Sequence, residues 1–68
     1  MSRLREVFNL QRDRSRMSYD DLAEASGISR RALLYIGTGQ SKGDLRTWLI
    51  LARTWGITLD DLLAPVWQ

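Results

Sequence analysis

The stretch from Tyr19 to Thr38, YDDLAEASGISRRALLYIGT, constrains the fold more than any other part of the 68-residue chain. Leu22 and Ala23 close one turn of an apolar face. Gly27 follows four residues after Ala23, Ile28 comes directly after it, and Leu33 and Ile36 resume an apolar face at helical spacing. Each position has a steric role. Ala23 is small where two steeply crossing helices bring their backbones together. Gly27 suits a turn residue of positive φ, a conformation that any side chain penalises. Ile28, Leu33 and Ile36 anchor the second helix from below. The expectation is two short helices joined by a tight turn, with Arg30, Arg31, Leu34 and Tyr35 facing outward on the second. A helix pinned on its inner side and presented in this way is what a DNA major groove accepts.

The flanking sequence reads as helix too, because no alternating run of β-branched residues appears. Leu4, Val7, Phe8 and Gln11 share one face of a first helix over about 3–13, and Arg14-Ser15-Arg16 reads as a polar connector. Ser18 is a good N-cap, with Asp21 three residues on and Met17 before it as a hydrophobic staple, so a second helix runs over about 19–25. Ser29 caps a third, about 30–37. Residues 38–43 form a loop by composition. Asp44 caps a fourth helix, about 45–55, whose inner stripe is Leu45, Trp48, Leu51, Ala52 and Trp55. Gly56 ends it. Thr58 caps a last helix, about 59–64, which Pro65 stops, leaving a short tail over 65–68. The fold class is therefore all-α: one domain spanning 1–68, a compact bundle of five short helices.

Composition excludes several functions. The chain has no cysteine and no histidine, which removes disulfides and the usual zinc-ligand sets and leaves stability to the core. Phosphate-cradling glycine motifs and nucleophile elbows are also missing, so no enzyme and no cofactor is expected. The adjacent carboxylates Asp20-Asp21 and Asp60-Asp61 fall in first helical turns, where they complement the helix dipole. No apolar run approaches the roughly 20 residues of a membrane span, and MSRLREVFN lacks the apolar region of a signal peptide. A cytoplasmic protein is expected.

The net charge of +2 says little, but its distribution says more. Residues 1–16 carry five arginines against Glu6 and Asp13, residues 17–29 carry only the acids Asp20, Asp21 and Glu24, and residues 30–46 carry Arg30, Arg31, Lys42 and Arg46 against Asp44. Basic charge thus gathers on the first helix and on the third helix with its following loop.

With these pieces in order, the chain resembles the lambda-repressor/Cro (XRE-type) helix-turn-helix domains over about residues 3 to 64. The residues that carry the likeness are Leu22-Ala23, Gly27-Ile28-Ser29, Gly39, and Trp55-Gly56-Ile57-Thr58 through Leu62. The resemblance implies a bacterial or phage-encoded, sequence-specific DNA-binding regulator of transcription, a repressor, acting on double-stranded DNA at a palindromic operator as a homodimer. It implies that Arg30, Arg31, Leu34 and Tyr35 contact bases. It implies phosphate contacts from Arg12, Ser18, Tyr19, Thr38, Gln40, Ser41 and Lys42, with the 38–42 loop offering backbone N–H groups. Three positions depart from the pattern. Tyr19 stands where the family commonly has glutamine, though its hydroxyl can still reach a phosphate. Gly37 stands where the family often has a glutamate paired to an arginine at the position of Arg12, which leaves Arg12 open to phosphate or to Asp13. Leu34 and Tyr35 are larger and more apolar than usual on that face. They suit thymine methyls, and they equally suit a protein partner, which keeps open a protein-interaction module on the same fold, such as an antitoxin or a phage or mobile-element adaptor. Leu49, Ile50, Val66 and Trp67 make an apolar surplus expected to form a dimer interface.

Overall fold

The computed structural model describes residues 3–67, the last by its backbone, and it is all-helical. The helices are α1 (Arg3–Ser15), α2 (Tyr19–Ser26), α3 (Arg30–Gly37), α4 (Leu45–Trp55) and α5 (Leu59–Trp67). The starts of α2 to α5 are set by side-chain oxygens that accept the otherwise orphaned first-turn N–H groups. Ser18 Oγ accepts from Asp21 N at 3.0 Å while Asp21 Oδ2 accepts from Ser18 N at 3.2 Å, a reciprocal capping box. Ser29 Oγ accepts from Ala32 N, Asp44 Oδ1 from Thr47 N, and Thr58 Oγ1 from Asp61 N.

Two helix ends differ from expectation. Arg14 and Ser15 belong to α1 and are not a connector, because neither residue breaks a helix. The helix stops when Arg16 turns left-handed (φ 56°), its N–H donating to Asp13 O and that of Met17 to Arg12 O. Likewise α5 runs through Pro65 to Trp67. A proline removes one N–H and crowds the carbonyl four residues back. Here that carbonyl belongs to exposed Asp61, so water can satisfy it. Arg3 then donates to the Pro65 carbonyl at 3.3 Å.

The core comprises Val7, Phe8, Leu22, Leu33, Ile36, Trp48, Leu51, Ala52 and Leu62, drawn from all five helices. Among the described residues no polar or charged side chain is buried, so hydrophobic burial carries the fold. Phe8 is its centre. Its ring lies 6.3 Å from Tyr19 (near-parallel), 6.4 Å from Trp48 and 5.9 Å from Trp55 (both edge-on), distances at which aromatic pairs attract. Trp48 also donates its indole N–H to Lys42 O at 2.7 Å, tying the α3–α4 loop to the core, whereas the buried Trp55 N–H has no acceptor. No described helix is long and apolar enough to cross a membrane.

Candidate nucleic-acid interface

Helices α2 and α3 are joined by Gly27, Ile28 and Ser29. Gly27 adopts φ 78°, the left-handed region, and its N–H donates to Ala23 O at 2.9 Å. Ile28 packs against the core from within the turn. With Leu33 and Ile36 buried, helical spacing sets Arg31, Leu34, Tyr35 and Thr38 along one outward stripe of α3. Arg31 is exposed and has no ion-pair or hydrogen-bond partner among the described residues. Tyr35 is 38% exposed, and Leu34 is half-buried. Arg30 lies to the side of this stripe. Its Nε sits 3.0 Å from Asp20 Oδ1, an exposed pair that links the first turns of α2 and α3. Beside the stripe an open depression of about 430 Å³ separates Tyr35 and Ala32 from Lys42, Asp44 and Thr47. Asp44 has its carboxyl held below the ordinary carboxylate range by the hydrogen bonds from Thr47.

The expected phosphate-contacting residues divide. Gln40 and Lys42 are exposed on the loop. The loop backbone, however, is mostly committed, contrary to expectation. Thr38 N donates to Leu34 O, Gly39 N to Ile36 O, Ser41 N to Tyr35 O, and Gly43 N to Ser41 Oγ. The first three bonds satisfy the last carbonyls of α3, which is why those N–H groups do not face outward. The Thr38 hydroxyl donates back to Leu34 O at 2.9 Å. Ser18 is exposed, with its hydroxyl engaged in the capping box.

Arg12 is not left open. Its guanidinium carbon lies 4.6 Å from the centroid of the Tyr19 ring, a cation–π distance. Its Nη1 donates to Met17 O at 3.2 Å, its Nη2 is 3.7 Å from Asp13, and only 23% of the side chain is exposed. The Tyr19 ring is thus a partner of Arg12. Gly37 makes the room: a Cβ there would collide with the Tyr19 hydroxyl and stand 3.3 Å from Phe8 Cε2. Tyr19, Gly37 and Arg12 thus form one packed unit between α1, α2 and α3. Asn9 completes it by donating to Gly37 O at 2.9 Å.

One basic residue escapes the sequence reading. Arg5 lies over Gly39, its Cδ 3.1 Å from where a Cβ of that glycine would stand, so its guanidinium borders the α3–α4 loop. The sequence signal is its spacing on α1 from Asn9 and Arg12, which share its face.

Of the four residues expected at a dimer interface, Leu49 and Ile50 face different ways. Leu49 is exposed, but Ile50, one residue on, points about 100° away around α4. It is half-buried and borders a depression with Ala25, Ser26, Arg53 and Thr54 at the end of α2. Val66 is exposed on α5, and the side chain of Trp67 lies outside the described residues.

No family model matches the chain, and no curated protein or solved structure matches it significantly.

Proposed function

We propose that the chain is a DNA-binding regulator of transcription, a repressor of the lambda-repressor/Cro kind, that lays α3 into the major groove of double-stranded DNA. The observation that carries this reading is the outward stripe of α3, with an unpaired Arg31 on a helix whose other side is core. Arg31 suits the O6 and N7 acceptors of guanine, and Leu34 and Tyr35 suit thymine methyls. Arg30 joins them once Asp20 releases it. Lys42, Gln40 and Arg5 border the helix and suit the flanking phosphates, while Thr38, Ser41 and Ser18 can add hydroxyl contacts. Arg12 and Tyr19 act behind them by holding α2 against α3. One module of this size buries too little surface for tight specific binding, so two copies on half-sites about one helical turn apart are expected.

Selection of bound sequences from a random DNA pool tests binding and half-site spacing together. Log affinity for the selected site should fall linearly with log salt. Arg31→Ala should weaken it by about 5- to 150-fold, the equivalent of about 1–3 kcal/mol, and relax preference at one base position, whereas Lys42→Ala should weaken all sequences alike. A pool that yields no enriched sequence at low salt, or an affinity indifferent to Arg31, would sink the proposal. The apolar content of the stripe, Leu34 with a 38%-exposed Tyr35, supports the second reading, a protein-binding face. Absence of DNA affinity, together with a protein partner lost on Tyr35→Ala, would favour it.

A further inference from the structure

We infer that α1 carries a self-complementary docking surface whose occupant is a second copy of this chain, packed antiparallel across Leu10. Leu10 is 51% exposed. It borders a depression of about 110 Å³ at the α1–α5 junction, floored by Val7 and Pro65 and edged by Arg3 and Glu6. An exposed leucine beside this apolar floor gives the surface something to bury against a copy of itself, as a two-fold contact requires.

The charges agree. Glu6, Leu10 and Arg14 recur every fourth residue, so they lie along one line on the outside of α1. Glu6 and Arg14 are both exposed, and neither has an ion-pair partner among the described residues. Within one chain they are eight positions apart, about 12 Å along the helix, too far to meet. When two such helices pack antiparallel with Leu10 opposite Leu10, Glu6 faces Arg14 of the second copy, and Arg14 faces its Glu6. Two reciprocal ion pairs then flank one leucine contact. In a parallel arrangement, by contrast, like charges would face each other.

This surface does not compete with α3. On α1 the residues turned toward α2, α3 and the loop are Arg5, Asn9 and Arg12, on a different face from Leu10 and Arg14, with Glu6 at its edge. A single helix pair with its α5 border lies at or below the small end of specific interfaces, so self-association is weak, in the micromolar range or above. It does not depend on the DNA reading.

Sedimentation equilibrium of the full chain, from micromolar to millimolar, tests the inference. The wild type should self-associate reversibly. Glu6→Arg and Arg14→Glu each set like charges against one another at both ends of the contact and should weaken association by about tenfold or more. The double variant Glu6→Arg/Arg14→Glu restores opposite charges and should recover association to near the wild-type constant. Both positions are exposed, and far-ultraviolet circular dichroism checks that each variant stays helical. Arg31→Ala should associate as the wild type does, whatever its effect on DNA. A chain that stays monomeric to millimolar concentration overturns the proposal. So does association that ignores the single charge reversals, which would assign the contact to another face, and so does a double variant that fails to recover.

Discussion

Replacing Gly37 by alanine would test whether α3 is held by a fitted contact or by generic helix packing. In an ordinary helix position the change stabilises, since alanine is favoured over glycine by about 1 kcal/mol. At Gly37 the added methyl would meet the Tyr19 hydroxyl and stand 3.1 Å from Tyr19 Cζ. The ring has little freedom to yield. It stacks on Phe8 at 6.3 Å on one side and carries the Arg12 guanidinium at 4.6 Å. Overpacking of this kind costs about 1–3 kcal/mol. Set against the helix preference, a net loss of about 1 kcal/mol is expected, which in a domain of this size lowers Tm by about 4–8 °C. The partner variant Tyr19→Phe removes the colliding oxygen and keeps the ring. In that background Gly37→Ala should be neutral or stabilising, a coupling of about 1 kcal/mol between the two sites. Urea unfolding of the four proteins, followed by circular dichroism, measures it. An alanine variant more stable than the wild type in the Tyr19 background would refute the reasoning. A coupling indistinguishable from zero would refute it equally.

Three further outcomes follow from the geometry. Asp20→Asn releases Arg30 and removes a negative charge beside α3, so affinity for the selected DNA at low salt should rise severalfold with stability within about 0.5 kcal/mol; unchanged or weaker binding in a gel-shift titration counts against the role of that pair. Trp48→Phe loses the bond to Lys42 O, whereas Trp55→Phe loses an N–H that has no acceptor, so thermal melts should find Trp48→Phe costlier by about 1 kcal/mol, and equal costs would contradict this. Asp44 has a depressed folded-state pKa, so its contribution to stability is present above the unfolded value near 3.8 and lost as pH falls through the folded one; the stability gap between wild type and Asp44→Asn should narrow on acidification through that window, and a gap independent of pH would discount the carboxylate.

The five helices are legible in the sequence because each buries one periodic stripe, and all but α1 start at a side chain suited to capping. The Gly27 turn is legible because its conformation is local. What cannot be read is chemistry across elements. That Gly37 is small for the sake of Tyr19, and that Tyr19 in turn engages Arg12, depends on three helices meeting, and no spacing within one helix encodes it. The same holds for Arg30 with Asp20 and for Arg5 with Gly39. The overextended helix ends have a simpler origin: a proline or a polar run is weak punctuation where the carbonyl it frees can turn to water. The use of the loop N–H groups is equally hidden, because a polar composition does not reveal that the end of α3 takes those of Thr38, Gly39 and Ser41.

The clustering of Phe8 with Tyr19, Trp48 and Trp55 makes the protein its own optical gauge. Both α4 indoles rest edge-on against a ring supplied by α1, so their fluorescence and near-ultraviolet dichroism read the closure of α1 over the other helices. They do not sit on the outward stripe of α3. Loss of that signal with far-ultraviolet helicity intact would describe a chain whose helices persist after α1 has come away. A change confined to Trp48, reached through its bond to Lys42, would instead register the loop beside α3.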